Sequence, residues 1–420
     1  MSRTYLDHAS TSPLRPAARA ALVEWLDRVG DPGRIHADGL AARHAVEEAR
    51  TAVGELLGAR NREVCFTSGA TEAIAAACWG AARRGDRSGP AHQVVTAVEH
   101  SAVRRAAERL GEVTTVPVDR TGRVDPDAVL AAVRPDTALV HVQWANHEVG
   151  TVQPVAEVVA GCRERGVLVH VDAAQAAGRV PIDFGALGAD LLTVSAHKLG
   201  GPPGVGALLI RRGLRLPPLL VGGDQERARR AGVENVPAIV GFGAAAAELA
   251  APGRLDEEAE RQRRLSERLL DALVPAAGGA TGDRAPAVSV DDVSVGDSDG
   301  DDGDGDDGIG ALTLYGSREH RLPHLVCLGV AGIEPQAVLL GLDRRGIAAH
   351  SGSACASEGL EPSPVLAAMG VDAHHSLRLS FGWSSTDADA DRLLAALPEV
   401  LAELRTLVTG GTGSGAARPG

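Results

Sequence analysis

Lysine is almost missing from this chain: of its 42 basic residues, 41 are arginine and one is Lys198. Arginine serves surface charge, salt bridges and anion binding, but it is effectively never deprotonated. A desolvated lysine, by contrast, becomes a neutral nucleophile. A coding bias toward arginine accounts for the scarcity. It does not account for the place, Ser195-Ala-His-Lys-Leu-Gly-Gly201, directly after an apolar run. The single amine is therefore the first candidate for covalent chemistry.

Other shortages narrow the class. Aromatic residues make up 2% of the chain and the net charge is −13, so few rings exist to stack on bases and nucleic acid is not the expected ligand. No stretch approaches the ~20 apolar residues of a membrane span, so no membrane association is expected. The N-terminus, Met1-Ser-Arg-Thr-Tyr-Leu-Asp-His8, has neither an apolar signal core nor an Arg-rich transit helix, and a cytoplasmic location is expected. The five cysteines (65, 78, 162, 327 and 355) are odd in number, scattered and without a CxxC pair. That suits free thiols in a reducing compartment and no structural zinc or iron–sulfur site, so no metal is expected.

What is present is alternation. Apolar strand patterns at 63–67, 93–98, 137–142, 167–171, 190–194 and 206–210 are separated by helical patterns. These cover about 71–84, 101–110 and 154–165, and another starts at Asp125-Pro126, a good cap and first-turn pair. Continuous apolar strands between helices indicate an α/β fold with a mostly parallel sheet, which binds ligands at the carboxyl ends of its strands.

Composition changes near Ala251. A charged helix over 256–273 precedes residues 291–308, which hold nine aspartates among glycine and serine and are expected to be a disordered insertion. A calcium loop is excluded there, because Asp302 takes the required glycine position and no suitable glutamate follows. Strands at 324–330 and 376–381, with helices over 335–345 and 386–407, then indicate a smaller α+β domain. The expected division is an N-terminal segment 1–13 packing with the small domain, a large domain 14–250, a small domain 251–408 and a flexible tail 409–420.

The lysine has chemical company. Asp172 ends an apolar strand pattern, where a carboxylate is costly without a cationic partner. A protonated pyridine nitrogen would be such a partner, although Asp172 also suits a helix N-cap. Gln175 follows within reach of a ring oxygen. Ser195 and His197 flank the lysine and can donate to a phosphate. Phe66-Thr-Ser-Gly-Ala70-Thr71-Glu runs from a strand into a helix, and helix N-terminal amides with hydroxyls bind phosphate. His100, after the 93–98 pattern, can stack on a ring. Together these point to pyridoxal 5'-phosphate.

The chain resembles the cysteine desulfurases of the class V aminotransferase superfamily over nearly its full length. The resemblance rests on Tyr5-Leu-Asp-His-Ala-Ser-Thr11, Phe66-Thr-Ser-Gly-Ala-Thr-Glu72, Val98-Glu-His100, Trp144-Ala-Asn-His-Glu-Val-Gly150, His170-Val-Asp-Ala-Ala-Gln175, Ser195-Ala-His-Lys198 and Ser351-Gly-Ser-Ala-Cys355-Ala-Ser-Glu358. It implies a fold-type I architecture with a seven-stranded large sheet, and a homodimer. It implies that Lys198 carries the cofactor and Asp172 pairs with the pyridine nitrogen. Gln175 and His147 would contact the ring oxygen, His100 would stack, and Ala70, Thr71, Ser195 and His197 would hold the phosphate. Arg378, with His147, would bind the substrate carboxylate, a role its two-pronged guanidinium suits.

Cys355 lies among small polar residues, so its loop can swing. The other four cysteines sit in apolar patterns and read as inert core. The resemblance implies that L-cysteine is converted to L-alanine, with Lys198 moving the Cα proton and His100 assisting. The Cys355 thiolate would take the sulfur as a persulfide and pass it to an acceptor protein, as in iron–sulfur cluster assembly. Four positions depart from the family pattern: His8 and His147 replace asparagines, Asp31 replaces another asparagine, and Val233 replaces a threonine that reaches the phosphate across the dimer interface. These departures keep two alternatives open, a selenocysteine lyase and a weakly active sulfur-relay or regulatory protein.

Overall fold

The apolar runs between residues 64 and 210 come together as one sheet. The computed structural model describes residues 3–85, 90–274, 311–352 and 362–410, with side chains through 407. After a two-residue strand β1 (Thr4–Tyr5), the sheet is built from β2 (Val64–Thr67), β3 (His92–Thr96), β4 (Val113–Val116), β5 (Thr137–Gln143), β6 (Leu168–Asp172), β7 (Leu191–Ser195) and β8 (Gly206–Ile210). Their order is β2-β8-β7-β6-β5-β3-β4. β8 runs antiparallel to both of its neighbours and the other pairings are parallel. The carboxyl ends of β2, β3, β5, β6 and β7 therefore share one edge of the sheet, and that edge holds the site.

The seventh strand, β4, carries no continuous apolar pattern. It is Val-Thr-Thr-Val at the sheet's edge, with only Val116 buried, so β-branching is its only mark. The inner strands are buried at every residue, as expected of a sheet covered on both faces. Polar residues cross this interior in a connected row. Thr193 Oγ1 meets His170 Nε2 at 2.8 Å, the two Nδ1 atoms of His170 and His141 meet at 3.0 Å, and His141 Nε2 meets Gln93 Oε1 at 2.9 Å. One hydrogen per contact satisfies the row with both rings neutral, and burial pushes His170 down to about 3 and His141 well below its usual range.

Helices Pro16–Leu26 and Ala37–Leu56 each pack on Val236–Ala250 beside the sheet. None of the three stands out in the sequence reading, because their contacts are largely alanine and glycine. Among the described residues no single helix is long and apolar enough to cross a membrane.

A second core forms around β9 (Leu312–Tyr315), β10 (Leu325–Val330) and β12 (Ser376–Ser380), an antiparallel sheet in the order β12-β10-β9. Leu265, Leu269, Leu328, Val338, Leu379 and Leu397 are among the residues that fill it. β11 (Ile347–Ala348) pairs in parallel with β1, which ties the chain's start to this second body. The last helix, Asp387–Gly410, runs past its expected end at 407. Residues 291–308, 411–420 and Cys355 lie outside the described residues.

One turn is strained. Glu226, Arg227 and Ala228 have φ of 46°, 60° and 60°, a left-handed conformation that side chains resist. The Glu226 carboxylate holds it, accepting two bonds of 2.7 Å from Arg50 and one of 2.8 Å from the amide of Phe66.

Candidate active site

Ten of the eleven residues expected at the site line one cavity of about 540 Å³. They are Ala70, Thr71, His100, His147, Asp172, Gln175, Ser195, His197, Lys198 and Arg378. The eleventh, Cys355, is outside the described residues.

Lys198 ends a single 3-10 turn, Ala196–Lys198, that follows β7. Burial pushes its ammonium down to about 8, while Asp172 pulls it back up. Asp172 closes β6 and is itself buried, which pushes its carboxyl up. It accepts one hydrogen bond, 3.0 Å from the amide of Ala174, which closes a turn; no helix starts here, so the N-cap role read from sequence is not the one it plays. That single bond leaves the carboxylate short of charge compensation, and a cationic ring nitrogen would supply it.

The phosphate end is built from backbone. Gly69 starts the helix Ala70–Ala82 at φ 154°, and nothing lies within 4 Å of where a Cβ would stand. Opposite it Gly206 has no room for one: a Cβ there would lie 2.6 Å from Val194 O and 2.8 Å from Gly69 Cα. The helix's first turn carries Glu72, which would repel an anion, but Arg230 pairs with it at 2.9 Å. Ser195 and His197 line the same cavity.

His100 caps the helix Ser101–Leu110, its Nδ1 accepting from the amide of Ala102 at 3.1 Å. The neutral ring therefore carries its hydrogen on Nε2 and acts as a donor. Burial, with His147 and Lys198 nearby, pushes it down to about 3. Being neutral, the ring can donate a hydrogen bond from Nε2 but holds no spare proton to transfer. The His100 and His147 rings meet edge to face, with centroids 5.0 Å apart. Gln175 commits one amide hydrogen to Ala9 O at 2.8 Å.

Arg378, on β12, brings the second body into the cavity. Its Nη1 donates to His147 O at 2.8 Å, and its Nη2 to Ser10 Oγ at 2.6 Å and to Asp7 Oδ1 at 3.0 Å. Its Nε is buried without a partner. An orphaned guanidinium N–H in a cavity is a ready site for a carboxylate.

Sequence reading missed four contributors. Ala9 and Ser10 line the cavity, and Asp7 holds the arginine. Asp7 stands in the Tyr5–Thr11 motif, and its carboxylate is the available signal. His350 also lines the cavity, paired across an isolated bridge with Arg378. Glu99, fully buried beside His100, is pushed up to about 8 by burial and then by Asp172.

A sheet edge that gathers a desolvated lysine, an uncompensated carboxylate and a glycine-lined helix start defines a class, and comparison with known proteins agrees. The chain belongs to the aminotransferase class-V family, whose model matches residues 4–288 and 307–393. Within that family it falls among the cysteine desulfurases. It is 39% identical over 411 residues to cysteine desulfurase IscS 1 of Archaeoglobus fulgidus, covering 96% of this chain and 98% of that one. Among solved structures, a NifS-like protein superposes with a TM-score of 0.80 at 30% identity, covering 96% of this chain and all of that one. The structure of SspA in complex with cysteine superposes at 0.71 with 25% identity, over 90% and 98%.

Proposed function

We propose that this chain binds pyridoxal 5'-phosphate in the cavity around Lys198 and takes sulfur from L-cysteine, leaving L-alanine. The observation that carries the reading is the convergence of the one lysine, buried and depressed to about 8, with Asp172 and Arg378 in one cavity. Asp172 would pair with the ring nitrogen. Ser195, His197, Thr71 and the amides from Ala70 onward would hold the phosphate, and Gln175 and His147 would face the ring oxygen. When bound, the cofactor supplies an electron sink for negative charge at the substrate Cα.

The remaining steps belong to the chain's own groups. Arg378 takes the substrate carboxylate on its unpartnered Nε and so aims Cα at the lysine. Lys198 Nζ removes the Cα proton, which a depressed amine does near neutral pH. His100, neutral, donates a hydrogen bond from Nε2 and keeps its proton. The Cys355 thiolate attacks the substrate Sγ, and a new S–S bond forms as the Cβ–S bond breaks. The bond's electron pair stays with carbon, which is protonated to give alanine. The persulfide on Cys355 then passes to an acceptor protein.

A cytoplasmic homodimer belongs to the same reading. So does the division into an N-terminal segment 1–13, a large domain 14–250 and a small domain 251–408, supported by two separate apolar cores. The test is a visible spectrum of the purified protein, then L-cysteine with alanine and sulfide measured. Borohydride reduction and digestion should label Lys198. Cys355→Ala should keep the visible band and release no sulfide; full activity in that variant would end the assignment.

A further inference from the structure

Four consecutive carbonyls of the segment that carries Lys198 are held from outside it. His197 O accepts from the amide of Ser12 at 2.9 Å, and Gly200 O from the amide of Arg15 at 2.8 Å. Leu199 O accepts from Arg15 Nε at 2.8 Å. Lys198 O accepts twice, from Ser12 Oγ at 3.0 Å and from Arg179 Nη2 at 2.9 Å. A turn leaving a strand has no ladder of its own, so these bonds decide where the lysine stands.

The hydrogen positions follow from counting. The Ser12 hydroxyl has one hydrogen, given to Lys198 O, and its lone pairs meet Arg179 Nη2 at 3.1 Å and His8 Nδ1 at 3.0 Å. His8 must then carry its hydrogen on Nδ1, and its Nε2 accepts from Ser385 Oγ at 3.4 Å. A neutral ring fits, since burial and Arg179 push His8 down to about 3. Donors of one fixed sense thus run from Ser385, just past β12, to the carbonyl of Lys198.

Arg179 is the unusual member. It is 3% exposed and makes no ion pair among the described residues. Arg15, close by, has a bidentate partner in Glu258. Burying a guanidinium without a counter-ion is costly, and burial pushes Arg179 down to about 10. The contacts that hold it there end on the lysine turn. We propose that Arg179, together with Ser12, is a positioning residue for Lys198, fixing the carbonyl from which the amine is aimed into the cavity. The proposal rests on the reading of Lys198 as the reactive amine.

The single lysine makes a direct test possible. Acetic anhydride on the full-length apoprotein reports Lys198 and the N-terminus, and peptide mapping separates them. The pH dependence of Lys198 labelling is compared in wild type, Arg179→Gln and Ser12→Ala, with kcat and KM for L-cysteine after reconstitution with pyridoxal phosphate. Wild type should be half-labelled near pH 8. In both variants the midpoint should rise, because a loosened amine reaches water. We expect kcat to fall roughly tenfold while KM stays within about twofold. Ser12→Ala alters no charge, so its shift separates geometry from the loss of a neighbouring cation. An Arg179→Gln variant that matches wild type in midpoint and kcat overturns the proposal. If that variant does not fold, an unchanged Ser12→Ala does so. Failure of wild-type Lys198 to be trapped by pyridoxal phosphate and borohydride would instead remove the cofactor reading, leaving the apoprotein titration to judge the positioning role.

Discussion

Asp7 accepts a hydrogen bond from Arg378 Nη2 at 3.0 Å, which binds the chain's first strand segment to the arginine that faces the substrate. With Ser10 and His147 O taking other donors, the guanidinium is locked, and Nε is its one nitrogen without a partner. Arg378→Lys keeps the charge and loses the fork. It should lower kcat/KM for L-cysteine roughly ten- to hundredfold, chiefly through KM, as expected for one charge-assisted bond. Alanine formation measures it, and the visible band should be unchanged.

The strained turn at 226–228 gives two opposite stability effects. Glu226→Ala removes the buried carboxylate from Arg50, leaving it only the more exposed Glu47 at 3.0 Å and Val64 O, and should cost about 3 kcal/mol. Ala228→Gly keeps every contact and relieves a φ of 60°. It should gain up to about 1 kcal/mol. Denaturant unfolding of the two variants beside wild type reads both.

Glu99 should show itself as an alkaline liability. Its carboxyl is raised from 4.5 to about 8, so the folded protein holds a proton that the unfolded chain releases near 4.5. Stability is therefore lost progressively as pH rises between those values and is level above them. Glu99→Gln mimics the protonated form. Its melting temperature should exceed wild type's by a margin that grows from pH 5 to pH 8, and a constant margin would refute a neutral Glu99.

The buried imidazoles predict the acid limb. His8, His100 and His170 are each pushed from 6.5 to about 3, so the unfolded chain binds protons that the folded one refuses. Their contribution is whole above pH 6.5 and falls away as pH drops toward 3. Urea midpoints measured from pH 7 to pH 4 should fall steeply, and His170→Asn should flatten the slope by about one proton.

Much of the site was legible because its residues are chemically out of place. Lys198 stands out against 41 arginines, and Asp172 closes an otherwise apolar run. Gly69 and Thr71 mark a strand-to-helix start. The core of the sheet was legible for the same reason in reverse, since buried strands must be apolar at every position. β4 escaped because an edge strand is only half-buried, and the helix Ala37–Leu56 escaped because alanine contacts leave little pattern. His141 and His170 run against the rule from inside it, as polar residues on fully buried strands that only a cross-strand row can satisfy.

The sequence by itself determined the chemistry of this protein: one amine, one carboxylate at a strand's end, a helix start for phosphate, and the order in which they meet the sheet. Those follow from local rules of burial, strand direction and capping. Only the tertiary structure decided what surrounds them. Arg378 enters the cavity from a strand some 180 residues past Lys198, Asp7 locks it from the other end of the chain, and Arg179 with Ser12 pins the lysine's carbonyl. No local pattern encodes such partners, because a hydrogen bond between distant segments depends on where those segments come to rest in the folded chain.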